Sequence, residues 1–178
     1  PDGLPEPECF ADSLTADHKI LNEENHSRSF DQIALVIYDR FTQWLQAYAT
    51  PTKTAVETMQ GFQRFLGPKM KAKHVYTDNS REFGKALQDL GFPHDTSTPH
   101  HPESNGVAER AVRRVREGTA VALVQSGLEE QWWASAMECF CFLKNIQDKN
   151  INDKTAYEGR FGIKFPGPLI PFGAAISY

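Results

Sequence analysis

Apolar positions fall into short continuous runs in the first half of the chain and into a helical period in the second. Ile33, Ala34, Leu35, Val36, Ile37 and Tyr38 form a run that predicts a buried strand, residues 39–42 a turn, and residues 44–49 the returning strand. With a strand-like run at 8–15 ahead of the polar stretch 22–31, three antiparallel strands precede a helix over 54–66. The segment His74, Val75, Tyr76, Thr77 reads as a short buried strand ending at Asp78, with Asn79 and Ser80 as turn or N-cap residues before a helix over 81–90. Another strand near 93–96 extends the sheet in βαβ fashion. From Gly106 to about Gln125 the chain lacks proline and is apolar at Val112, Val115, Thr119, Ala122 and Leu123, which predicts a helix with Glu109 in its first turn.

This layout gives two carboxylates a chance to meet. Asp78 stands at the carboxyl end of a strand, where open α/β sheets place their ligands, and Glu109 follows on a helix. Arg110, Arg113, Arg114 and Arg116 come directly after it; Arg113 and Arg116 share the Glu109 face, whereas Arg114 points elsewhere. A carboxylate beside cations suits a site that handles phosphates, while the plainer alternative is a solvated basic stripe paired with Glu109 and Glu117. Between Pro99 and Gly106, the prolines fix φ and Ser104, Asn105 and Gly106 supply turn geometry and an N-cap, so a partly stiffened flap is expected beside the carboxylates.

At these residues the chain resembles a known family. Thr77-Asp78-Asn79-Ser80-Arg81-Glu82-Phe83 and Ser97 through Arg110, with Asn105-Gly106-Val107-Ala108-Glu109-Arg110 at its end, resemble the second and third acidic motifs of retroviral and retrotransposon integrase catalytic cores. The hairpin through Asp39-Arg40-Phe41-Thr42-Gln43-Trp44 and the run Gln131-Trp132-Trp133-Ala134-Ser135-Ala136 extend the likeness, and the Asn-Gly-x-x-Glu-Arg form is closer to long-terminal-repeat retrotransposons than to retroviruses. Ser80, His100 and Glu103 depart from the glycine, tyrosine and glutamine usual at those places, and the Asp78–Glu109 gap is a few residues short, but no carboxylate is lost.

The resemblance implies an α/β, ribonuclease-H-like fold, a mixed five-stranded sheet with helices on both faces, over residues 1–164, with 165–178 as an extended linker or the start of a downstream region. It implies a catalytic triad that binds two Mg²⁺ or Mn²⁺ ions: Asp12 bridging both, Asp78 and Glu109 each holding one. Asp12 is preferred to Asp17 because it lies within the first strand-like run and opens an Asp-x-x-Thr pattern. The implied activity is trimming of the element's DNA ends and their transfer into target DNA, with Asn105, Arg113 and Arg116 contacting DNA, a homodimer or larger homo-oligomer, and action in the nucleus. A related transposase or nuclease, or a domesticated DNA-binding module without chemistry, would share much of this pattern.

Composition alters the picture little. Of 178 residues, 40% are hydrophobic and 24% charged, an ordinary soluble composition large enough for a core. No run has the length and apolarity of a membrane span, and the amino end lacks a signal-peptide layout, so an intracellular soluble domain is expected. The net charge of −4 would not by itself suggest a nucleic-acid partner; only the local arginines do. Cys9, Cys139 and Cys141 form no disulfide framework and read as thiols, the last two as buried ones, while His100 and His101 lack the partners of a zinc site. Asp39 reads as a turn residue rather than a further acid.

Overall fold

The computed structural model describes residues 6–20, 26–96, 102–175 and 177, the side chains of 102–105 lying outside that description. Its strands are β1 (Leu14–Ile20), β2 (Ile33–Asp39), β3 (Leu45–Thr50), β4 (Val75–Thr77) and β5 (His94–Thr96). They form one sheet in the order β3-β2-β1-β4-β5. β1, β2 and β3 pair antiparallel, and β4 and β5 join parallel by way of α1 (Ala55–Leu66) and α2 (Arg81–Leu90). This is the mixed five-stranded, ribonuclease-H-like sheet that the sequence implies.

Side-chain alternation divides the core into two layers. Leu14, Ala16, Leu35, Ile37 and Val75 meet Phe62, Phe65 and Leu66 of α1 and Phe83 and Leu87 of α2. Ala34, Val36, Leu45 and Ala47 face the other way, onto α3 (Pro102–Ser126) and α4 (Trp133–Gln147), where Ala111, Val112, Val115, Trp133, Met137 and Cys141 fill the space. Because β2 is covered on both faces, its sequence is a continuous apolar run rather than an alternating one. Burial pushes the Cys141 thiol up to about 12, so it stays protonated and serves as core; Cys139 is partly buried and Cys9 exposed.

Local chemistry sets the ends of these elements. Thr54 accepts from Glu57 N (3.2 Å) while Glu57 Oε2 accepts from Thr54 N (3.1 Å), a capping box that starts α1. Gly61 lets α1 lie close on β2, since a Cβ there would overlap the Leu35 side chain. Asn145, fully buried in α4, accepts from Leu45 N (2.9 Å) and donates to Leu45 O (2.7 Å), fastening that helix to the start of β3. Past α5 (Ala156–Phe161) the described residues contain no further helix or strand. No helix among the described residues is long and apolar enough to cross a membrane.

Two elements begin elsewhere than expected. The first strand starts at Leu14, not near residue 8, because the chain turns first: Ala11 takes a left-handed φ of 73° and Asp12 accepts the backbone N–H groups of Glu8 and Cys9. At the other site, α3 begins at Pro102. Proline lacks only an N–H that the first helical turn leaves unpaired, so it opens a helix well, and the backbone of Ser104, Asn105 and Gly106 is helical rather than a cap.

Candidate active site

Parallel pairing of β1 with β4 decides which carboxylates meet. Leu14 is aligned with Val75 and Thr15 with Tyr76, so continuing the register two residues sets Asp17 in line with Asp78, just past the end of β4. Asp17 pairs across β1–β2 with Val36, which belongs to the α3–α4 core, so its side chain emerges on that face of the sheet. Burial first, and then the negative charge of Asp78, raise the Asp17 carboxyl above the ordinary carboxylate range. Among the described residues no cation forms an ion pair with it; Lys19 and Lys53 act on it only through space.

Asp78 is held by its neighbours. The Thr77 hydroxyl bridges His94 Nε2 (2.8 Å) and the Asp78 carbonyl oxygen (2.7 Å), while Asp78 Oδ1 accepts from Ser80 N (3.2 Å). Ser80 in turn caps α2, as expected from its place after the strand. The carboxylate is exposed and stands at a carboxyl strand end.

Asp12, by contrast, is not brought to Asp78. It precedes β1 at the opposite end of the sheet, with Oδ2 on Glu8 N (2.9 Å) and Cys9 N (3.1 Å) and Oδ1 on Lys73 Nζ (2.6 Å). Those bonds, the lysine foremost, hold its carboxyl well below the usual range, as befits a charge already neutralised. Geometry separates the two candidates for the first acid: Asp17 adjoins Asp78, and Asp12 closes a turn. The signal in the sequence was the turn-forming Ala11-Asp12-Ser13 ahead of the alternation Leu14, Ala16, His18.

Along α3, Ala108, Ala111, Val112 and Val115 are buried against the sheet, which the helix meets at β1 and β2. At 100° per residue Glu109, Arg113 and Arg116 share one exposed flank, and Arg110 and Arg114 share the other. The second flank lies against Tyr38, Arg40, Gln43 and Leu45 of the β2–β3 hairpin, so the Glu109 flank lies on the side of β1 and β4. Arg114 thus points away from Glu109, as its helical position implies. Asn105 falls among residues whose side chains are outside the described set. No three of the described His, Cys, Asp or Glu residues stand close enough together to hold a metal ion, so Asp17, Asp78 and Glu109 share a face of the sheet without forming a closed cluster.

Asp39 is a structural residue. It is fully buried, with Oδ1 accepting from Ala11 N (2.9 Å) and Oδ2 from Thr42 N (2.7 Å) and Thr42 Oγ1 (2.6 Å), which ties the hairpin turn to the segment before β1.

A mixed sheet between two helical layers, with two neighbouring carboxylates at its central strands, defines a ribonuclease-H-like domain. Known structures narrow the class. The catalytic core domain of BIV integrase superposes with a TM-score of 0.61 at 22% identity, covering 83% of this chain and 92% of that one. The HTLV-2 integrase catalytic core domain, solved in complex with magnesium in a trimeric form, gives 0.64 at 18% identity, covering 85% and 97%. By sequence, the retrovirus-related Pol polyprotein from transposon RE1 of Arabidopsis thaliana is 28% identical over 132 residues, 71% of this chain. The chain spans only 9% of that polyprotein's length. No family model matches the chain. Its relatives thus include retrotransposon Pol polyproteins, and its fold is that of retroviral integrase catalytic cores.

Proposed function

We propose that this chain is the catalytic core of a retrotransposon integrase, which trims the ends of the element's DNA and joins them to target DNA. The observation that carries the reading is the pair Asp17 and Asp78, two carboxylates side by side on parallel central strands, one of them partly desolvated and lacking an ion-pair partner among the described residues. Such a pair is unfavourable until a cation joins it. The donor set fits a hard divalent ion, Mg²⁺ or Mn²⁺, which prefers carboxylate oxygen, and the HTLV-2 core of the same fold was solved with magnesium. Asp17 and Asp78 would hold the ions, with Glu109 reaching in from its flank of α3. When bound, two such ions supply positive charge at the phosphodiester and lower the pKa of an attacking water or hydroxyl.

The chain's own residues do the rest. The Ser80 N–H holds the Asp78 carboxylate and the Thr77 hydroxyl holds its backbone carbonyl, so the residue is partly preorganised. Arg113 and Arg116, on the Glu109 flank, would hold phosphates of the DNA beside the reacting bond, and Asn105 would contact the DNA end. A second reading keeps the fold and the basic flanks of α3 without the chemistry, a DNA-binding module.

One assay separates them. Labelled element ends are incubated with a longer protein that includes this core, in Mn²⁺, and nicking and joining are followed. Asp17→Asn, Asp78→Asn and Glu109→Gln should each abolish both while the protein stays folded, and Asp12→Asn should retain both. Activity surviving in Asp17→Asn would return the first acid to Asp12, and an inactive parent that still binds the ends would establish the binding module.

A further inference from the structure

The flank of α3 that faces away from Glu109 borders a second basic surface. Tyr38, Arg40, Gln43 and Leu45 of the hairpin and Val107, Arg110, Ala111 and Arg114 of α3 line a groove of about 350 Å³. Three arginines converge there in a chain whose net charge is −4, and among the described residues none of them is in an ion pair. Asp39, on the same hairpin turn, is fully buried and spends its oxygens on Ala11 and Thr42 rather than on these arginines.

The groove is built rather than incidental. Gln43 adopts a left-handed φ of 63°, a conformation that non-glycine residues seldom take, and it is held there by its own N–H to Asp39 O (3.0 Å) and by the Asp39–Thr42 bonds. Arg40 is fixed on the same turn through its N–H to Ser13 O (3.0 Å). Burial raises the Tyr38 hydroxyl above its ordinary pKa, so it remains a donor at neutral pH. The groove therefore presents three guanidinium groups, a phenol and an amide, a set rich in donors that suits phosphate oxygens.

We propose that this groove, formed by Arg40, Arg110 and Arg114 with Tyr38 and Gln43, binds the phosphodiester backbone of duplex DNA on the side of α3 opposite the carboxylates. The inference rests on the integrase reading for its choice of polyanion. Arg110 and Arg114 are separated by one helical turn, a rise of about 6 Å. A DNA strand carries a phosphate about every 3.4 Å of its axis, so roughly two phosphates fit that span. DNA held here would lie across the helix from the reacting strand, gripped on both flanks of α3.

The test measures fluorescence anisotropy of the 178-residue chain with a labelled duplex of random sequence over a range of NaCl concentrations. Arg40→Ala with Arg114→Ala, both exposed and neither on the Glu109 flank of α3, should weaken binding and reduce the salt slope by up to about 1.8, and the paired lysine substitutions should restore the slope. Adding Arg113→Ala and Arg116→Ala should lower it further. An unchanged slope in the folded Arg40/Arg114 variant overturns the groove alone. A shift in sedimentation without a change of slope also overturns it, and assigns this face to a protein contact. A parent chain that binds no duplex at any salt overturns both the groove and the DNA reading beneath it.

Discussion

Exchanging one carboxylate for an amide at two places should give opposite stability effects, and the contrast tests the assignment of the site without relying on activity. Asp17 lies about 5 Å from the neighbouring strand position that leads to Asp78. At an effective dielectric between about 80 and 20, two charges at that distance repel by roughly 0.8 to 3 kcal/mol. Asp78 is exposed, which puts the value near the lower end. Asp17→Asn should therefore stabilise the metal-free chain by about 1 kcal/mol, or roughly 2–4 °C in Tm for a domain of this size. The pH dependence has a definite sign. Because the folded carboxyl titrates above the unfolded one, its penalty is fully present above the raised value and vanishes below the ordinary carboxylate range. The stabilisation should be complete at pH 8 and be lost as the solution is acidified through that window. Asp12→Asn should do the reverse, costing about 1 kcal/mol at pH 8, because two backbone N–H groups lose a charged acceptor. Thermal unfolding followed by circular dichroism at pH 8 and at low pH gives all four numbers. A lower Tm for Asp17→Asn at pH 8, or a gain that does not change with pH, would refute the idea that Asp17 shares a repulsive site with Asp78.

Millimolar Mg²⁺ or Mn²⁺ should raise the Tm of the parent more at pH 8 than at pH 5, and Asp78→Asn should remove most of that difference; calorimetry would reveal an equal shift in both proteins if no shared site exists. Replacing Arg113 and Arg116 together by Ala should lower the slope of log affinity against log salt by up to about 1.8 while leaving metal affinity nearly unchanged, and isothermal titration beside the DNA measurement checks both halves. Burial lowers His18 to about 4, so it is neutral in the folded chain, stacked on Phe83 and bonded to Thr58 Oγ1. Its contribution, on the order of 3 kcal/mol, should be intact above the unfolded pKa near 6.5 and be lost as pH falls towards about 4; His18→Gln should flatten that part of a denaturant-midpoint profile. Gly61→Ala should destabilise by about 1–3 kcal/mol, since the new methyl meets Leu35 at a packed helix–sheet contact, and urea unfolding measures the loss.

Much of this protein is determined locally and can be read in one dimension. β2 is a continuous apolar run because it is buried on both faces, α1 and α2 start at Thr54 and Ser80 because those side chains cap them, and Asp78 ends a strand because a helix must begin just after it. The division of the α3 arginines into two flanks follows from 100° per residue alone. The position of the first acid is not local. Choosing between Asp12 and Asp17 depends on the parallel register of β1 against β4, strands separated by more than fifty residues, and on a turn in which Ala11 adopts positive φ and Asp12 consumes its charge on Lys73. β1 also carries Asp17, His18 and Lys19, so the alternation that begins at Leu14 is short and only weakly apolar. Likewise no periodicity brings Arg40 of the hairpin to Arg110 and Arg114 of α3; only the packing of that helix on β2 creates their groove. Residues close in sequence decide which elements form, whereas contacts between distant strands and helices decide which charges must share a site.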